Sequence, residues 1–190
     1  MSEPAIKVHL VAAGDFHDID YARLELLKLL SEHSRVRTTV ASNYSDIEGI
    51  QNSDLLISYT CNLVPSEIEQ EALKTFVEQG GKWFALHGTN SILEFTDKGV
   101  ACPERAPVFM ETLGSQFMAH PPIQPFTVKI SNPEHPLVSG ISEFETDDEL
   151  YICKQLAPHE MLLHTDFTGK ASGFLHEDWP DDDPRPIYYI

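Results

Sequence analysis

The sequence predicts an α/β protein built on a mainly parallel sheet with helices on both faces. Three observations point there. Short β-prone runs alternate with helix-period runs in the order β-α-β-β-α-β over the first half of the chain. One strand candidate, Asp54–Tyr59 (DLLISY), carries an unbroken Leu-Leu-Ile centre, as suits a strand buried on both faces. The chain is 190 residues long and 42% hydrophobic, enough for one sizeable core. A single domain over residues 1–190 is therefore expected, with no internal repeat and no linker marking a second one.

The elements follow in order. Ile6–Ala12 (IKVHLVA) is the first strand and runs into Gly14 and the polar turn Asp15-Phe16-His17-Asp18. Asp18 can cap a helix whose apolar positions are Ile19, Ala22, Leu26 and Leu30, widened by Leu27 and Leu29. Val36–Ala41 and Asp54–Tyr59 are the next strands. Pro65-Ser66-Glu67 opens a second helix, with Ile68, Ala72, Leu73, Phe76 and Val77 as its inner face and Gly80-Gly81 as its stop. Lys82–His87 (KWFALH) is a fourth strand, turned by Gly88-Thr89-Asn90. The second half is broken into short pieces by prolines at 103, 107, 121, 122, 125, 133 and 136. Phe126–Ile130 reads there as a strand, Met161–Leu163 and Ser172–Leu175 as short strand candidates, and Glu177–Asp183 as an acidic loop.

Charge narrows the partners. The formal net charge is -17, from 30 acidic and 13 basic residues. Such a surface repels nucleic acid and anionic membranes, and it favours solubility. The N-terminus lacks the basic n-region and long apolar run of a signal peptide, and no apolar stretch is long enough to cross a bilayer. Cys61, Cys102 and Cys153 are odd in number, widely spaced and form no CxxC pair, so a reducing cytoplasm is the expected compartment. A small molecule is the expected partner, and a homo-oligomer is compatible with the composition.

In sheets of this kind ligands bind beyond the carboxyl ends of the strands. His17, Tyr59 and His87 fall at or just after three predicted strand ends, which makes them expected neighbours. His87, before a Gly turn, stands where α/β enzymes expose a reactive group, and it could be a general base, a metal ligand, a substrate hydrogen-bond donor or a buried structural histidine. His120 is held by Pro121-Pro122, and Asp147-Asp148-Glu149 offers carboxylates for metal or base chemistry, although acidic turns are commonly only solvated. His135, between Pro133-Glu134 and Pro136, reads as a turn residue. His17, His87, His120 and Glu149 or Asp148 together would form a His/carboxylate set suited to zinc, manganese or iron. No GxSxG, GxGxxG or GxxxxGK[ST] is present, so serine-hydrolase, dinucleotide and P-loop chemistry are not expected, and no nucleotide cofactor is. None of the three cysteines falls at a predicted strand-to-turn position.

Seven segments in order resemble one family. They are Gly14–Asp18; Asp54–Tyr59; Glu71-Ala72-Leu73 through Phe76–Gly81; Phe84-Ala85-Leu86-His87-Gly88; Leu113-Gly114 through Phe117 with His120-Pro121; His135–Ile141; and Asp148-Glu149-Leu150-Tyr151. The chain resembles the ThuA-like (trehalose utilisation) proteins of the class I glutamine amidotransferase-like superfamily. The resemblance implies a flavodoxin-like three-layer α/β/α sandwich. It also implies that His87 occupies the place of the amidotransferase nucleophilic cysteine. An imidazole there is poorly suited to forming the covalent intermediate, so glutamine hydrolysis is not expected. Family members usually continue past the Pro-rich segment into a Gly-rich strand and a Leu-Gly-His, whereas this sequence ends at Pro186–Ile190, which suggests that the family's C-terminal strand is missing.

The expected function is that of a carbohydrate-metabolism enzyme acting on trehalose-type or keto-sugar substrates. Catalysis would fall to His87 and Glu149, substrate contacts to Tyr59, His120 and Asp148, and a divalent transition metal to His17, His87, His120 and Glu149. The alternative is a non-catalytic sugar-binding or protein-interaction module on the same fold.

Overall fold

The computed structural model describes residues 3–176 and 178–179. The predicted C-terminal features at Pro186–Ile190, and most of the acidic loop Glu177–Asp183, lie outside the described residues. The chain packs as two compact units. One comprises the chain up to Ile92 together with Glu104–Leu113; the other comprises Leu93–Pro103 and the chain from Gly114 onward. Each unit thus takes two separate stretches of sequence, so no single linker marks the division.

The first unit is a parallel α/β unit. Its strands β1 (Ile6–Gly14), β2 (Val36–Ala41), β3 (Leu55–Cys61) and β4 (Lys82–Leu86) form one sheet in the order β2-β1-β3-β4, all parallel. Helix α1 (Ile19–Ser31) starts at Asp18, whose carboxylate accepts from the Tyr21 N–H at 2.9 Å. Its Ile19, Leu26, Leu27 and Leu30 pack on Val8, Leu10, Ala12 and Ile57. The first three of these strand residues alternate along β1 and so share one face of the sheet. A short helix α2 (Ile47–Gln51), which the sequence pattern did not announce, follows β2 and is capped by Asp46.

Helix α3 (Glu67–Glu78) begins with a reciprocal capping box between Ser66 and Glu69 and ends before Gly80, at φ +88. Its inner face differs from the expected one. Ala72, Leu73 and Phe76 are buried, but Ile68 is 74% exposed and Val77 is also exposed, and Gln70 is buried in their stead. Gln70 is held there by its two polar ends: its amide donates to Pro65 O at 3.1 Å, and its carbonyl accepts from Phe109 N at 3.3 Å. That second bond ties α3 to α4 (Pro107–Leu113), another helix hidden from sequence reading by its proline-rich surroundings. Phe109 is wholly buried, with its ring 5.6 Å from both Tyr44 and Trp83. Burial holds the Tyr44 phenol up at about 12.

His9 is the odd residue of this core. It is 1% exposed, its Nδ1 lies 3.1 Å from Thr39 Oγ1, and its Nε2 has no hydrogen-bond partner among the described residues. Burial lowers its pKa, with the charge of Asp46 partly opposing. Above the unfolded pKa, about 6.5, both states keep the ring neutral. As the pH falls below that value, the unfolded chain takes up a proton that the folded chain resists. Stability therefore declines until the lower folded pKa is passed. His9→Asn, which keeps a polar group beside Thr39, is expected to flatten the fall of the urea midpoint below about pH 6.5. An unchanged pH profile would remove His9 from the account.

The second unit is made of short strands. β5 (Glu94–Thr96) pairs with β6 (Gly99–Ala101), β7 (Ser115–Ala119) with β10 (Ile152–Gln155), and β8 (Gln124–Ile130) with both β9 (Phe144–Asp148) and β11 (Leu163–His164), all antiparallel. β12 (Gly169–Lys170) pairs with β13 (Asp178–Trp179). The expected strand at Ser172–Leu175 is instead a turn with a single bridge from Phe174 to Val100, because Gly173 takes φ +99 and cannot continue an extended ladder. Ala119, Leu150, Ile152 and Ala171 form a core cluster here, with Phe126, Phe167 and Phe174 against it.

All three cysteines are free thiols. Contrary to the expectation that no cysteine falls at a strand-to-turn position, Cys61 is the last residue of β3, which runs past the predicted end at Tyr59, and it is buried. Burial raises the Cys102 thiol to about 12. Among the described residues no helix is long and apolar enough to cross a membrane.

Candidate functional site

In the first unit the strand order β2-β1-β3-β4 reverses direction at β1, and the turns after β1 and β3 therefore flank the natural ligand crevice. The turn after β1 is fixed at close range. Gly14 has φ +119, and a Cβ on it would lie 1.9 Å from Cys61 O. With nothing there, Asp15 N reaches the same carbonyl at 3.0 Å. Asp15 Oδ2 then accepts from Asn62 Nδ2 at 3.2 Å, and Arg23 of α1 donates to Ala12 O at 2.6 Å. Phe16 sits at φ +70, an uncommon conformation for a bulky side chain, and His17 O accepts from Ile19 N as α1 begins.

The turn after β4 has a similar strain. His87 itself has φ +49 and opens a 3-10 turn, His87–Asn90. Gly88 follows because there is no room for more: a Cβ there would stand 2.8 Å from both Thr60 O and Cys61 Cβ. The buried Thr89 hydroxyl lies 2.8 Å from Leu86 O and 3.1 Å from Ser58 O, while Trp83 Nε1 donates to Ser58 Oγ at 2.8 Å. A buried polar bracket thus holds the elbow against β3. Left-handed backbone at non-glycine residues concentrates where a surrounding structure enforces it, commonly at functional sites.

These two turns bring His17 and His87 together. Their Nε2 atoms are 2.9 Å apart, with rings nearly perpendicular. Tyr59 on β3 stacks against His87, with centroids 5.6 Å apart, and lies edge-on to His17 at 6.3 Å. Two imidazole nitrogens at this distance cannot both carry a proton. They share one in an N–H···N bond, or both turn lone pairs to one cation. Two nitrogens bound to a tetrahedral zinc ion stand about 3.3 Å apart, so a small opening of the pair would admit one.

In the second unit His120 and Glu149 form a second pair. His120 Nδ1 lies 2.8 Å from Pro121 O, a pure acceptor, so Nδ1 carries the proton and Nε2 is left basic. Nε2 is 3.9 Å from Glu149 Oε1, too long for a hydrogen bond. Tyr151 stacks on the His120 ring at 6.4 Å, and Phe174 meets it edge-on at 4.9 Å. Asp148 is exposed at the end of β9, where its carboxylate accepts from Glu149 N at 2.8 Å and so holds the backbone that presents Glu149. His135 caps a 3-10 turn, its Nδ1 accepting from Leu137 N, in keeping with the turn expected there.

The structure therefore gathers His17, Tyr59 and His87 in one unit and His120, Asp148 and Glu149 in the other. Sequence reading passed over Asp15, Phe16, Asn62 and Thr89. Asp15, Phe16 and Thr89 were visible only as members of turns after strands, and Asn62 left no signal, since their importance depends on which strands are neighbours.

The fold and these strand ends define the class: an α/β protein whose parallel sheet presents a histidine at the elbow after its fourth strand. The chain belongs to the ThuA family, described as trehalose utilisation, whose model matches residues 8–188. Among solved structures it is similar to a ThuA-like protein from Bacteroides uniformis ATCC 8492, at 19% identity and TM-score 0.69, over 95% of this chain and 76% of that one. A ThuA-like protein from Parabacteroides merdae ATCC 43184 matches at 14% identity and TM-score 0.57, over 92% and 73%. A Thermoplasma acidophilum protein described as part of a GMP synthase matches at 12% identity and TM-score 0.51, over 86% and 75%. At these identities the likeness is one of fold. Comparison with curated proteins gives no match.

Proposed function

We propose that this chain is a carbohydrate-metabolism enzyme of flavodoxin-like, class I glutamine amidotransferase-like architecture, acting on trehalose-type or keto-sugar substrates with a divalent transition metal. The observation that carries the reading is the 2.9 Å approach of His17 and His87 at the carboxyl ends of a parallel sheet. Borderline nitrogen donors suit zinc, manganese or iron. The ion, when bound, supplies Lewis-acid polarisation of a carbonyl or hydroxyl oxygen. His17 and His87 would be its nitrogen ligands. The family name supports the substrate class, and the three free thiols suit a cytoplasmic setting.

Protein purified without chelator is expected to hold one equivalent of a transition metal, and His17→Ala to hold none. Calorimetry against trehalose and keto-glycosides, followed by product analysis, separates the two functional classes. Saturable binding with turnover supports the enzyme; saturable binding without turnover shows a sugar-binding module. Metal-free wild-type protein that still turns over the sugar overturns the metal assignment.

A further inference from the structure

We propose that the β2 edge and the adjoining flank of α1 form a self-association surface, on which a second copy of this chain pairs across a two-fold axis. Helix α1 is too apolar for its place. Eight of its thirteen residues are apolar, more than its inner face can use. Ile19, Leu26, Leu27 and Leu30 meet the sheet, but Tyr21 and Leu24, on one ridge, turn outward at 63% and 50% exposure. A helix with one face in water ordinarily keeps that face polar. Strand β2 is open as well. It is an edge of the parallel sheet, so every second residue turns its N–H and C=O away from β1. Val36–Ala41 carries none of the usual guards against strand addition: no proline, no lysine and no bulge in its register with β1. Its one charge, Arg37, folds back to donate to Ser34 O at 2.9 Å and Val36 O at 2.7 Å. Val36 packs with the α1 leucines, so Val40 lies on that same face of the sheet, where it is 47% exposed.

Charge selects the occupant. Residues 19–41 hold three of the chain's 30 acidic residues and four of its 13 basic ones, a balance of +1 that leaves −18 for the remainder. Within α1, Asp20 pairs with Arg23 and Glu25 with Lys28. Two copies of so acidic a chain repel wherever their acidic surfaces meet, whereas this near-neutral stretch can face itself. A strongly charged partner would find no opposing field there. One symmetry operation serves both elements. A two-fold axis normal to the sheet sets β2 antiparallel to its copy and keeps both α1 helices on the same face. In the right-handed crossover β1-α1-β2, the flank of α1 that bears Leu24 faces the β2 edge, so Leu24 and Val40 of each copy border the seam.

The test uses the full chain. Sedimentation equilibrium over a concentration series is expected to show wild type in reversible monomer–dimer exchange. Val40→Lys puts a charge on the strand edge and Leu24→Lys puts one on the helix flank beside it. Neither residue is buried, so the urea midpoint of each variant is expected to stay near that of wild type. Each is expected to raise the dimer dissociation constant at least about tenfold, the effect of one interfacial charge without a partner. Ile68→Lys, on the exposed side of α3, is expected to leave it unchanged. The β2 amides that point away from β1 are expected to exchange with deuterium more slowly as concentration rises. Wild type that stays monomeric throughout overturns the proposal. In that case open β2 amides leave the face to a partner of another kind, and amides protected at every concentration show it covered within one chain. A dimer that survives both Val40→Lys and Leu24→Lys joins its copies elsewhere and overturns the proposal too. If Val40→Lys lowers the urea midpoint, Leu24→Lys decides alone.

Discussion

Gly14→Ala is expected to cost the first unit about 3–5 kcal/mol or more, read as a large fall in the urea midpoint, with loss of the His17–His87 pair. Two effects add. The backbone at φ +119 is closed to L side chains, and the new methyl group would stand 1.9 Å from Cys61 O. That neighbour is the backbone of a paired strand and cannot swing away as a side chain can. Moving it breaks the Asp15 N bond to the same oxygen, and with it the start of the turn that carries His17. Gly80→Ala provides the comparison. It too has positive φ, but a Cβ there meets nothing within 4 Å, so its cost is confined to the backbone, about 1–2 kcal/mol. Similar midpoints for the two variants would refute the steric argument.

His87→Asn is expected to abolish metal binding and lower turnover of a keto-glycoside about 10²–10⁴-fold, with little change in stability. Asparagine is the informative choice because position 87 has φ +49, where alanine would add backbone strain of its own. The variant keeps the elbow and removes the imidazole that meets His17 and stacks on Tyr59. Metal content, the urea midpoint and turnover should then separate, the first and last collapsing while the second holds. Full turnover in His87→Asn would remove the catalytic role.

The first unit was largely legible in the sequence because its signals are local. Asp18 and Pro65-Ser66-Glu67 mark helix starts, Gly80 marks a helix end, and β2 begins and ends where its β-branched run does. The meeting of His17, Tyr59 and His87 followed from a rule about strand ends that needs no coordinates. What escaped was set by tertiary neighbours. Ile68 has the right period for the inner face of α3, but Gln70 takes the interior because Pro65 O and Phe109 N satisfy both ends of its amide. The left-handed backbone of Phe16 has no signature in residue type, and at Asn62 and His87 residue type gives only a mild preference for it. In the second unit strands of two to five residues are too short for periodicity to tell them from turns, and β5, β6, β7, β9, β10, β12 and β13 went unread.

The closing of the first unit by α4 has a consequence for how the protein is made. Phe109 lies beyond a stretch of chain that belongs to the other unit, yet it fills the space between Tyr44 and Trp83 and caps the amide of Gln70. A nascent chain that has emerged only as far as Ile92 has all four parallel strands and both histidines, but its aromatic core is still open on one side. Synthesis must run through Glu104–Leu113 before that face is sealed. The histidine-bearing unit is therefore finished late and out of sequence order, and a fragment cut at Ile92 would expose the rings of Tyr44 and Trp83 to water.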